Sequence, residues 1–187
     1  MINKLHAHLL RIATRRHFLI LLTVFIGINL LLLSPLSPFT TLLAYSGGVG
    51  LLDVTFLYTP DTAYDVLTAY GAAGREYYLS VLFPIDLVTP ILMNLFLSLT
   101  ITLVLRRAFP PDAPVHRLNL LPVVAMAADY LENGAIVALI LAYPARLDGV
   151  AVAAAAFTAV KFIATFASAL TLAFGLAAWL RAGRSLA

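Results

Sequence analysis

LNLLPVVAMAADYLENGAIVALILAY, residues Leu118–Tyr143, is apolar almost throughout yet carries Asp129, Glu132 and Asn133 near its middle. A membrane-crossing helix needs about 20 mostly apolar residues, and this run is long enough. Three further stretches qualify, at about Phe18–Leu33, Tyr78–Leu105 and Val150–Leu180. The last two, like the quoted run, have length to spare for tilt. The expected fold is all-α, a four-helix transmembrane bundle in a single integral membrane domain. A structured outer connection, residues 34–77, joins spans one and two.

Composition agrees. Of 187 residues, 62% are hydrophobic and 11% charged, against about 25% charged in ordinary soluble domains. That excludes a soluble globular domain, and a disordered chain is excluded because such chains are poor in apolar residues. With no cysteine, disulfide scaffolds, thiolate metal sites and cysteine nucleophiles are excluded as well.

Orientation follows from the basic flanks. Lys4, Arg11, Arg15 and Arg16 precede span one, Arg106, Arg107 and Arg117 lie between spans two and three, and Arg181 and Arg184 lie in the C-terminal tail. Arg75 and Arg146 are on the other side. Both termini are therefore expected in the cytoplasm of a multi-pass inner or plasma membrane protein. These flanks explain the net charge of +3 without a nucleic-acid partner. Residues 2–14 place Leu5, Leu9 and Ile12 at helical spacing among Lys4, His8 and Arg11. An amphipathic helix on the inner membrane surface is favoured over a frayed basic tail. Ala44-Tyr45-Ser46 loosely imitates a signal-peptide cleavage site, but Pro35 and Pro38 separate it from the apolar run. Span one is therefore read as a retained helix.

In the outer connection, Pro35, Pro38, Gly47, Gly48 and Gly50 interrupt an apolar stretch. Whether residues 36–50 re-enter the bilayer is left open. Thr59 is a plausible N-cap with Pro60 at the first helical position, so a helix Pro60–Tyr70 should end at Gly71. Arg75 is expected either to pair with Asp53 or to stay solvated.

Ionisable groups inside spans are rare because hydrocarbon disfavours charge. Here Asp86, Asp129, Glu132 and Lys161 all lie within spans, with Asn94 and Asn133 adding amides. At about 1.5 Å per residue, Asp86, Glu132, Asp129 and Lys161 sit about 12–21 Å below the outer ends of their spans. Asp129, Glu132 and Asn133 share one helical face. Asp86, Pro90, Asn94, Ser98 and Thr102 form a stripe on span two, and Thr158, Lys161, Thr165 and Ser168 one on span four. The three stripes are expected to face a common interior, with Asp53, Tyr58, Arg75 and Tyr78 at its mouth. Three acids against one Lys leave an imbalance, to be met by protons on carboxyls, by Arg75, or by a bound cation.

The inventory narrows the chemistry. His6, His8, His17 and His116 lie in the basic flanks, which disfavours axial haem ligation in the bundle. No metal site and no cofactor is expected. Gly47-Gly48-Val49-Gly50 lacks the spacing and the Lys of a phosphate-binding loop.

Tyr58-Thr59-Pro60-Asp61, Tyr70-Gly71-Ala72-Ala73-Gly74-Arg75, Asp86 with Pro90, Lys161 and above all Asp129-Tyr130-Leu131-Glu132-Asn133 resemble a pattern in an uncharacterised family of small bacterial four-span membrane proteins. The resemblance covers about residues 50–175. It implies a four-helix bundle and supplies no activity.

Three readings stay open. In the first, a midplane pocket of Asp86, Asn94, Asp129, Glu132, Asn133 and Lys161 binds or moves a small cation, a proton or a polar ligand. A homo-oligomer packed through Ala151–Ala156 and Gly175 would suit it. The second is a membrane-embedded acid/base enzyme acting on a lipid, for which EXPERA-type sterol isomerases offer an analogy of architecture. The third is a structural assembly subunit without a site.

Overall fold

A computed structural model describes residues 2–184, the side chain of Arg184 lying outside the described residues. The chain is all-helical, and four of its helical stretches are long and apolar enough to cross a membrane: Arg15–Leu32, Pro60–Ala108, Pro114–Ala142 and Asp148–Ala182. A polytopic membrane protein with a four-helix bundle is the architecture these residues build.

The amphipathic segment forms α1 (Ile2–Ile12). Leu9 is buried against Leu99 and Leu95, so its apolar face docks on the bundle. Thr14 then caps α2 (Arg15–Leu32), accepting from the His17 N–H at 3.3 Å. None of the residues in α2 is buried. It meets the bundle through Leu21, packed against the Leu9–Leu99 cluster, and through Phe18 and Phe25, which stack on Phe96 with ring centroids 5.7 and 4.7 Å apart.

The outer connection is folded. Ser37 caps α3 (Pro38–Tyr45), which is too short to span and buries Leu42. A 3-10 turn at Leu52–Val54 follows. Thr59 caps α4 (Pro60–Tyr77) as its sequence dictates, accepting from the Thr62 N–H. Gly71 does break the helix, at φ 63°, ψ −176°, but the chain resumes helix at once and runs into span two. The expected end at Tyr70 is therefore a bend within a longer element. The Arg75 guanidinium donates to the Leu67 carbonyl beside the bend at 2.7 Å and sits 4.0 Å above the Tyr143 ring. Leu42, Leu52, Leu67, Tyr70 and Tyr78 pack with Ile136, Leu139, Ala151 and Ala154 into one core.

Span two is broken where prolines demand it. Proline lacks an N–H and its ring clashes with the carbonyl four residues back. Ahead of Pro84 the chain widens into a π turn, Tyr78–Leu82, in which the Phe83 N–H bonds the Tyr78 carbonyl. A short α5 (Phe83–Asp86) follows, then a turn at Leu87–Val88 ahead of Pro90, then α6 (Thr89–Ala108). The Leu87 carbonyl accepts from the Tyr130 hydroxyl at 2.5 Å.

A 3-10 stretch (Pro114–Leu120) leads to α7 (Leu121–Ala142), and α8 (Asp148–Arg184) is the last element of the described residues. The α7–α8 interface is the most extensive in the fold. Ala151 and Ala154 in it are fully buried, their small side chains letting the helices approach closely. Gly175 lies against Val104 and Leu105 of α6. These small residues thus serve packing inside one chain.

Candidate functional site: an acidic cluster around Lys161

Lys161 organises the interior of the bundle. Its ammonium lies 2.5 Å from Glu132 Oε2, 3.2 Å from Asp129 Oδ1 and 2.9 Å from the Asp53 carbonyl oxygen. It donates hydrogen bonds to the Asp53 and Asp129 oxygens and meets Glu132 Oε2 as an ion pair, that oxygen having no hydrogen bond of its own. The other oxygen of Glu132, Oε1, accepts from Thr158 at 2.6 Å. Glu132 and Thr158 are fully buried. Helical spacing explains the convergence: Asp129 and Glu132 are three apart on α7, Thr158 and Lys161 three apart on α8, and the two pairs face each other.

The remaining acids are not neutralised in this way. Asp53 is half-buried as a residue, yet its Oδ1 is enclosed and has no hydrogen-bond partner. Asp86 Oδ2 is likewise buried and unpartnered, though Asp86 is within electrostatic reach of Asp53, Asp129 and Lys161. The hydroxyls of Tyr58 and Tyr78 and both amide atoms of Asn133 are buried without partners too. Unpartnered buried polar atoms are uncommon and each calls for an explanation. Here they gather around one cluster with four carboxyl groups and a single cation. Burial pushes the Asp53 carboxyl above the ordinary carboxylate range, with neighbouring Asp129 adding to the rise and Lys161 opposing it. The Tyr58 phenol is pushed up to about 12, chiefly by burial, so it remains a neutral donor in the physiological range.

Not all of the expected residues meet here. Asp129 and Glu132 each pair with Lys161, Asp53 joins through its backbone, and Asn133 is buried on the same face of α7. Asn94 is elsewhere. It donates to its own helix at Pro90 (2.9 Å) and lines an apolar groove with Leu5, Leu9 and Val123. The stripe expected to run from Asp86 to Thr102 is therefore divided. Ser98 and Thr102 are buried beneath α1, where the His6 ring donates to Asn119 Oδ1 and Asn119 Nδ2 donates to Thr102, both at 2.9 Å. Thr165 is exposed, leaving Thr158, Lys161 and Ser168 on the inner face of α8. Arg75 serves the α4 bend and Tyr143, as above, and not Asp53. Tyr78 is fully buried and belongs to the interior rather than to a mouth.

Sequence reasoning missed the part of Tyr130, whose bond to the break in span two could have been sought once Pro84 and Pro90 were read as breakers. It also missed the outer tie. Arg146 pairs with Asp61 at 2.6 Å and Asp148 at 2.9 Å, while the Tyr64 hydroxyl donates to Ala145 O and accepts from the Leu147 N–H. That tie seats α4 on the α7–α8 turn. Among the described residues no group of three or more metal-ligating side chains occurs.

No family model, curated protein or solved structure matches this chain. The chemistry of the cluster must be argued from its own atoms. What it offers is four carboxyl groups against one cation, in a largely buried setting, with phenol and amide groups at hand.

Proposed function

We propose that this polytopic membrane protein holds a proton or a small monovalent cation in the acidic cluster, with the exchangeable charge on Asp53 and Asp86. One observation carries the reading. Lys161 is already paired with Glu132 and Asp129 and bonded to the Asp53 carbonyl, while the buried oxygens Asp53 Oδ1 and Asp86 Oδ2 have neither a hydrogen bond nor an ion pair. Uncompensated carboxylates are very costly in low dielectric; a proton or a cation removes that cost. Lys161, Asp129 and Glu132 then serve as the fixed frame. Tyr58, Tyr78 and Asn133 supply neutral polar atoms to whatever enters. Termini on the cytoplasmic side of a cell membrane, as the basic flanks direct, would make the outer connection the approach to Asp53. The resemblance to small bacterial four-span proteins accords with this architecture and adds no activity.

A second reading has its own support. The contacts of Lys161 with Glu132, Asp129 and the Asp53 carbonyl are also what a purely structural clamp between α7, α8 and the connection between spans one and two requires. Proton uptake separates the two. Purified full-length protein in weakly buffered detergent solution is titrated across neutral pH, with and without added sodium or potassium ions. The proposal expects uptake and release that shrink in an Asp53→Asn, Asp86→Asn double variant which still melts cooperatively. Identical titration curves for the folded double variant and the parent would leave only the clamp.

A further inference from the structure

At the basic end of the bundle, far along α8 from Lys161, lies a groove of about 430 Å³. It is floored by α6, with α2 on one side and α8 on the other. Phe18, Leu103, Val104 and Trp179 give it an apolar lining, and Arg15 and Arg107 are the charged groups on it. The Arg107 guanidinium lies 4.8 Å over the Trp179 ring, which holds it beside the groove. Among the described residues no carboxylate pairs with Arg15 or Arg107. Arg15 is also the first residue of α2, where the positive end of the helix dipole favours an anion.

We propose that this groove is a binding site for an anionic phospholipid. Its phosphate would lie between Arg15 and Arg107, and one acyl chain would run along Phe18, Leu103 and Val104. Three features argue for a lipid rather than a soluble anion. The lining is overwhelmingly apolar, which a free phosphate has no use for. The two cations sit at the ends of spanning helices, at headgroup height. A tryptophan beside them has the amphipathic ring that favours the membrane–water boundary. Charge complementarity selects the anionic headgroup over a zwitterionic one, since paired arginines match phosphate geometry and a juxtamembrane basic pair attracts anionic lipid. The site is independent of the acidic cluster.

Trp179 is the only tryptophan in the chain, so its fluorescence reads the groove directly. Full-length protein is reconstituted in phosphatidylcholine vesicles containing, at equal fraction, acyl-brominated phosphatidylglycerol or acyl-brominated phosphatidylcholine. The brominated anionic lipid should quench Trp179 several-fold more effectively. Arg15→Gln and Arg107→Gln should each lower that preference about fivefold, the effect of one basic residue near an anionic surface. Arg117→Gln, which removes the same charge at the same end but outside the groove, should leave it unchanged. Inorganic phosphate added to the solution should not relieve quenching. Equal quenching by the two lipids would overturn the proposal, as would a preference that survives both groove substitutions or falls equally with Arg117→Gln. Relief by free phosphate would show a soluble-anion site instead and overturn it too.

Discussion

Lys161 makes the sharpest demand on its neighbours. Replacing it with Met leaves Glu132 buried and unpaired, a situation that costs about 3–5 kcal/mol where it has been measured. Lys161→Met should therefore melt at much lower temperature than the parent or fail to fold in detergent. The paired variant Lys161→Met, Glu132→Gln should recover much of the loss, which a thermal melt of both proteins would check. Asp53 gives a pH dependence whose sign is fixed. Its carboxyl titrates above its ordinary value of 3.8 because burial penalises the charged form. Between 3.8 and that higher value the folded chain holds more protons than the unfolded one, so this group's contribution to stability is full below the window and lost as pH rises through it. Asp53→Asn should flatten that slope in a pH series of melting temperatures. An unchanged slope would mean the carboxyl is not held in the folded interior. The meeting of Asp129, Glu132 and Lys161 was legible from helical spacing and rise per residue alone. The place of Asp53 beside them was not, because a loop residue has no periodicity to place it.

Elements show why some expectations met the structure and others did not. The start of α4 was readable because Thr59-Pro60 is a local signal, satisfied by one hydrogen bond. Its continuation past Gly71 was not, since it depends on Arg75 reaching back to Leu67, a contact between residues eight apart. Gly71 adopts a conformation essentially reserved to glycine, and a Cβ there costs of order 1–3 kcal/mol. Gly71→Ala should lower stability by about that amount although nothing crowds the site; chemical-denaturant unfolding would measure it. Gly175 is the opposite case. A Cβ on it would meet Val104 Cγ1 at 3.0 Å and Leu105 Cδ2 at 3.1 Å. Gly175→Leu should therefore force α8 from α6 and destabilise by about 1–3 kcal/mol or more, with Gly175→Ala milder. Span two was read as continuous because hydropathy does not register Pro84 or Pro90 strongly. The π turn and the Leu87–Val88 turn follow from those prolines, and Asn94, eight residues beyond Asp86, lies about 12 Å farther along the helix.

At the scale of the whole molecule, two ends do different work. The end opposite the basic flanks is a packed cap in which α3, the 3-10 turn and α4 cover the ends of α7 and α8 and bring the Asp53 backbone onto Lys161. The basic end carries α1, buried through Leu9 and tied by His6 to Asn119, together with the arginine-flanked groove. Between them lies a low-dielectric interior whose fixed acids outnumber its one cation. The all-helical, four-span plan was legible from apolar length alone. Which acids are neutralised by protein and which are not required the three-dimensional placement of Lys161. Infrared spectroscopy of the full-length protein in vesicles, followed through a pH titration, tests that division most directly. The account predicts a protonated-carboxyl C=O band at neutral pH, or a carboxylate band displaced by sodium or potassium ions. Either signal should weaken in Asp53→Asn and in Asp86→Asn. Spectra that show neither signal, or that are identical in the parent and both folded variants, would contradict it.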